Sequence, residues 1–88
     1  MTKIYSLDIL KISFEGSFKN KIELLQYKNC GCFYCLNLLK VEQITEWVNE
    51  SDNTETAVCP KCGIDSILSE KYPIFEKIFL EEMQNYWF

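Results

Sequence analysis

The chain has 88 residues and a formal charge of −4, of which 48% are apolar and 15% aromatic, so it has the material for one small core and is far from a disordered composition. All nine of its cationic side chains are Lys and it has no His, which removes the commonest general base, the Ser/His and Cys/His nucleophiles and every His-ligated metal centre. The absence of Arg removes the two-pronged readers of phosphate and guanine, and no apolar run approaches the roughly 20 residues that span a bilayer.

Residues 3–14 carry apolar side chains at Ile4, Leu7, Leu10 and Phe14, which suit a helix, although Leu10, Ile12 and Phe14 also alternate like a strand. The helix is the preferred reading. This charged segment has neither the unbroken apolar stretch nor the small-residue cleavage pattern of a signal peptide, so a cytoplasmic, thiol-reducing location is expected. Gly16 interrupts the pattern. Ser17 then stands as an N-cap for a helix over 18–27, with Ile22, Leu25 and Tyr27 partly buried, ended by Asn29 and Gly31.

After the first cysteine turn, Val41, Ile44, Trp47 and Val48 repeat at helical spacing, which predicts a short amphipathic helix over 41–49. The stretch 49–56 is polar and loop-like. Ile64, Ile67 and Leu68 predict a short strand leaving the second cysteine turn. Pro73 suits the first turn of a last helix, in which Phe75, Ile78, Phe79, Met83, Tyr86 and Trp87 share one apolar face. There is no repeat and no linker, and residues 1–88 read as a single domain.

Chemistry concentrates in the cysteines. Cys32-Phe33-Tyr34-Cys35 and Cys59-Pro60-Lys61-Cys62 are two Cys-x-x-Cys turns, each of which places two sulfurs where they can share one ion. Two such turns complete the tetrahedral four-thiolate shell of structural zinc. Iron fits the same shell, and a redox pair at Cys59 and Cys62 is a further alternative, but its surrounding βαβ pattern is missing. Gly63 supplies a residue that takes positive φ after the second turn; the first turn has Leu36 there. Cys30 is left over and reads as a partly buried free thiol beside the site. The fold class expected is α+β, a small four-cysteine zinc ribbon packed with three or four short helices.

At 30–35 (CGCFYC), 44–47 (ITEW), 57–66 (AVCPKCGIDS) and 72–88 (YPIFEKIFLEEMQNYWF), the chain resembles a group of short bacterial proteins usually labelled only as cytoplasmic proteins. With the segments between these matches, the resemblance covers about two thirds of the chain. It implies a zinc-bound cytoplasmic protein and brings no activity with it. The chain departs from the group at Lys40, where a helix-capping residue is the rule.

Asp65 and Ser66 follow the second turn, but without a His they read as turn-stabilising groups and no enzyme is expected. A shell filled by four thiolates also leaves no position for a substrate water. Charge is uneven: residues 1–40 hold six Lys against three acids, a net +3, and residues 41–88 hold three Lys against ten acids, a net −7. Glu42, Glu46, Glu50, Asp52 and Glu55 fall on the expected 41–49 helix and its following loop, as a surface that would steer a basic protein partner. Small acidic non-catalytic proteins of this kind include bacterial immunity proteins and antitoxins that neutralise basic toxins, a parallel of type. The alternative is a nucleic-acid-associated ribbon using Lys19, Lys21, Lys28 and Lys61. The terminal Tyr86, Trp87 and Phe88 either dock on the core or face a partner.

Overall fold

The structure is a computed structural model that describes residues 5–88. The first helix, α1 (Leu7–Glu15), begins where the Ser6 side chain accepts a hydrogen bond from the Ile9 backbone N–H, with Asp8 in its first turn. The helical reading of the N-terminal segment thus holds from Leu7 onward; Ile4 lies outside the described residues. At the other end Ser17 closes α1 by donating its hydroxyl to the Phe14 carbonyl at 2.6 Å, so it caps no following helix. The helix expected over 18–27 contracts to one turn, α2 (Lys21–Leu24). Asn20, which precedes that turn, spends its side chain on distant backbone groups instead of capping it.

Five short strands follow in two antiparallel sheets. β1 (Asn29–Cys32) lies between β2 (Leu38–Lys40) and β5 (Ile67–Ser69), with Cys30 opposite Leu39 on one side and Ser69 on the other. β3 (Trp47–Asn49) pairs with β4 (Glu55–Ala57) as a separate hairpin. The helix expected over 41–49 is absent: Val41–Gln43 make a single 3-10 turn, and the chain then runs extended into β3. Ile44, Thr45, Trp47 and Val48 are β-branched or aromatic and suit a pleated strand; the register sets Trp47 opposite Ala57 and Val48 opposite Thr56, with the Val58 N–H donating to the Glu46 carbonyl at 3.1 Å and the Ala57 N–H going to the Asn20 side chain. The polar stretch becomes the hairpin turn, in which the Glu50 N–H donates to the Thr54 carbonyl and Asn53 takes φ 68°. Lys40 therefore precedes no α-helix but stands at the start of the 3-10 turn, where its backbone N–H donates to the Gln43 side chain at 2.8 Å.

The last helix, α3 (Lys77–Trp87), starts four residues later than Pro73, which instead opens a tight turn closed by the Glu76 N–H on its carbonyl. Phe79 and Met83 face the core as expected and Leu80 joins them, whereas Phe75 falls before the helix and is exposed. Of the C-terminal aromatics, Tyr86 and Trp87 pack against the helical cluster and Phe88 stays 59% exposed. The Trp87 ring stacks on Phe14 with centroids 3.9 Å apart and its indole N–H donates to the Leu10 carbonyl, while Phe88 meets Tyr34 edge-on.

The buried apolar side chains form two clusters. One holds Cys30, Cys32 and Cys59 with Leu24, Leu39, Val41, Ile44, Ala57 and Ile67; the other joins α1 and α3 through Leu10, Phe33, Leu68, Ile74, Phe79, Leu80 and Met83. Phe33, inside the first cysteine turn, belongs to the second cluster and so links the cysteine site to the helices. A Cβ at Gly16 would stand 2.3 Å from the Tyr72 hydroxyl oxygen, so a larger residue there has to displace the Tyr72 ring. The α+β class and the four-cysteine ribbon are as the sequence indicated. Among the described residues no helix is long and apolar enough to cross a membrane.

Candidate metal centre

The two cysteine turns are built alike although their sequences differ. In the first, the Leu36 N–H donates to the Cys32 carbonyl at 2.9 Å and the Cys32 N–H to the Asn37 carbonyl at 3.0 Å. In the second, the Gly63 N–H donates to the Cys59 carbonyl and the Cys59 N–H to the Ile64 carbonyl, both at 2.9 Å. The residue after each second cysteine takes the left-handed conformation, at φ 77° for Gly63 and φ 62° for Leu36. For a leucine that conformation costs about 1 kcal/mol. Packing of the Leu36 side chain against the helical cluster offsets it.

These turns bring Cys32, Cys35, Cys59 and Cys62 together with all four Sγ atoms within 4.8 Å of one another. The Cys32–Cys62 and Cys35–Cys59 Sγ separations are both 3.7 Å. A tetrahedron of sulfurs at about 2.3 Å from a central zinc has edges of about 3.8 Å, so the arrangement fits a tetrahedral cation. The first cysteine of each turn is buried and the second half-buried.

Donors surround the sulfurs. The Tyr34 and Cys35 backbone N–H groups point at Cys32 Sγ at 3.4 and 3.5 Å, and the Lys61 N–H points at Cys59 Sγ at 3.4 Å. The Asn37 amide donates to Cys35 Sγ at 3.2 Å, and the buried Ser66 hydroxyl lies 3.0 Å from Cys32 Sγ. Such a set stabilises thiolates, the form that binds metal. Burial opposes ionisation: it pushes the Cys32 thiol well up, against the Cys35 N–H, the Ser66 hydroxyl and the Tyr34 N–H, and it also raises Cys62. Burial acts the same way at Cys35, but there the Asn37 side chain and backbone N–H, with Cys32 and Cys59, prevail and bring the thiol down to about 7. A divalent cation at the centre supplies the remaining compensation for anionic sulfur.

The four-cysteine arrangement can therefore hold a metal ion, and a shell of four protein thiolates leaves no position open for substrate. Cys30 stands apart. It is fully buried in β1, more so than expected, and burial pushes its thiol up to about 12. Ser66, which the sequence placed only in a turn, supports the site through Cys32; Asp65 is exposed. The support from Asn37 and Ser66 was missed, and its one sequence signal was a polar side chain two residues beyond Cys35 and four beyond Cys62.

The acidic candidates are not gathered on a helix face. Glu50 accepts a hydrogen bond from the Thr56 hydroxyl, Glu55 pairs with Lys21 at 2.7 Å and Asp52 pairs with Lys19 at 3.0 Å. The Thr54 hydroxyl and then the Lys19 ammonium hold the Asp52 carboxyl well below the usual carboxylate range. Glu42 and Glu46 are exposed, with no ion pair among the described residues. Of the lysines proposed for nucleic acid, Lys19 and Lys21 are spent on these pairs, while Lys28 and Lys61 are exposed.

Fold and site together define a small α+β ribbon with a four-cysteine site able to hold a metal ion. Comparison with protein-family models, with curated proteins and with solved structures finds no match to this chain.

Proposed function

We propose that the chain is a non-enzymatic, zinc-binding protein-interaction module, acting in the cytoplasm. The observation that carries this reading is the saturated four-sulfur tetrahedron, embedded in one of the two core clusters. A metal so placed binds as part of folding and has no free coordination position for chemistry. Zinc is preferred over iron because four thiolates suit a d10 ion with no geometric preference of its own. The resemblance to short bacterial zinc-bound proteins supports the same choice.

The protein-binding part rests on the surface. Ile22 is 76% exposed, Ile12 and Leu25 are each 62% exposed and Phe75 is 60% exposed, which is a large apolar complement for so small a chain. An immunity or antitoxin role toward a basic toxin draws on Glu42 and Glu46, the exposed members of the acidic set that take no ion pair among the described residues.

Elemental analysis of protein purified without added metal tests the first part, with about one zinc per chain expected. Iron in that stoichiometry, or no metal, refutes it. Capture from the native host tests the second: a single stoichiometric protein partner supports the module, and salt-sensitive retention on nucleic acid in its place refutes it.

A further inference from the structure

A groove of about 550 Å³ opens where α2, β2 and β3 meet, lined in part by Val41 and Ile44 of the core cluster that holds the cysteines. Its volume is in the range of small-molecule sites, roughly 300–1,000 Å³. Val41, Ile44 and Trp47 give it an apolar floor, and Leu25 and Tyr27 give it an apolar wall. Lys21, Lys28 and Lys40 stand around this lining, with Glu42 as the one carboxylate.

The charge here is opposite to that of the whole chain. Lys21 is already engaged, by Glu55 at 2.7 Å and over the Trp47 ring at 5.1 Å. Lys28 and Lys40 are exposed and take no ion pair among the described residues. They are held close together by the end of the β1–β2 ladder, in which Lys40 is opposite Asn29 and the Val41 N–H donates to the Lys28 carbonyl at 2.9 Å. Two lysines without an ion pair among the described residues thus line the groove together with its apolar side chains.

We propose that this groove is a binding site for a small organic anion, a flat apolar body bearing one or two negative charges. The apolar body covers Val41, Ile44 and Trp47, and the charged group meets Lys28 and Lys40. A polyanionic strand fits less well, since a backbone continuing past the groove would meet Glu42, Glu46 and Glu55 in a protein of net charge −4. The site is independent of the protein-interaction reading: zinc content and partner capture can both come out as expected with the groove empty, and the converse also holds.

The test is an amide and indole NMR titration of the zinc-loaded full chain with naphthalene-2-sulfonate as the aromatic anion. Saturable binding that shifts the Trp47 indole and the Leu25, Tyr27 and Ile44 amides is expected, with the Trp87 indole, tied to Leu10, unmoved. A neutral naphthalene alcohol should bind about ten-fold more weakly, and so should the anion to a Lys28→Gln/Lys40→Gln variant. Glu42→Gln should tighten binding of the anion, a direction that structural damage does not produce. The proposal is overturned if the neutral compound or the double lysine variant binds as the anion binds wild type, if the shifts fall outside the groove, or if Glu42→Gln weakens binding. It is equally overturned if inorganic phosphate alone binds as tightly, which would mark a bare anion site, or if a thymidine octanucleotide binds more tightly, which would mark a nucleic-acid site.

Discussion

Replacing Cys62 with Ser isolates the contribution of the metal from that of packing, because Cys62 is half-buried and its Sγ completes a 3.7 Å edge of the tetrahedron with Cys32. A serine hydroxyl stays protonated at neutral pH, so one of four anionic ligands is lost while the side-chain volume hardly changes. Structural zinc in small domains is worth about 10–16 kcal/mol, or about 3 kcal/mol for each of four thiolates. For a domain of this size each kcal/mol moves the melting temperature by about 4–8 °C, so Cys62→Ser should melt about 12–24 °C lower. Cys30→Ala is the control. That thiol is fully buried but outside the tetrahedron, and its loss should cost about 1 kcal/mol, or about 4–8 °C, with zinc content unchanged. Calorimetric melting of both variants with zinc analysis of each decides the matter. A Cys62→Ser protein that keeps its zinc and melts within a few degrees of wild type would refute the reasoning, as would loss of zinc from Cys30→Ala.

Ser66→Ala removes the hydroxyl 3.0 Å from the buried Cys32 sulfur and should weaken zinc binding about ten-fold in a chelator competition, with the fold kept at saturating zinc; unchanged affinity would remove Ser66 from the site. Asn20 donates to the Ile67 carbonyl at 2.9 Å and to the Gly16 carbonyl, and accepts from the Ala57 N–H at 3.0 Å, joining β4, β5 and the end of α1. Asn20→Ala leaves the buried Ala57 and Ile67 groups unpaired and should cost about 3 kcal/mol in urea unfolding, which a variant within about 1 kcal/mol of wild type would contradict. The Tyr5 hydroxyl donates to Glu76, and that bond is the chief cause of a phenol pKa raised from 10.0 to about 12. Since the folded-state value is the higher, this stabilisation is complete below the unfolded pKa and fades as pH rises through about 12. The gap in urea midpoint between wild type and Tyr5→Phe should therefore be open at pH near 9 and closed near 12; a gap that persists unchanged would show that the phenol proton is not involved.

The cysteine spacing, the α1 pattern and the apolar face of α3 were legible because each is a local matter: a Cys-x-x-Cys turn and a helical stripe are set by residues within a few positions of one another. The segment 41–49 was misread for the same reason. Its apolar spacing satisfies a helix and a hairpin alike, and what decides is the pairing of Trp47 with Ala57 and of Val48 with Thr56, which no local pattern reports. With the helix gone, the acidic side chains expected on its face separate, and two of them find lysines more than 30 positions earlier.

By itself the sequence determined that four sulfurs on two tight turns would be available to one cation, that a helical stripe would close the chain, and that histidine chemistry was ruled out. Only the tertiary structure decided that Leu36 takes a glycine-like conformation, that the Asn20 amide serves backbone groups 37 and 47 positions away, and that Lys21, Lys28 and Lys40 line one groove with Val41, Ile44 and Trp47. The physical reason is range. Periodicity records whom a residue meets within a turn or a pleat, whereas buried hydrogen bonds, strand register and grooves are settled by which distant segments exclude water together.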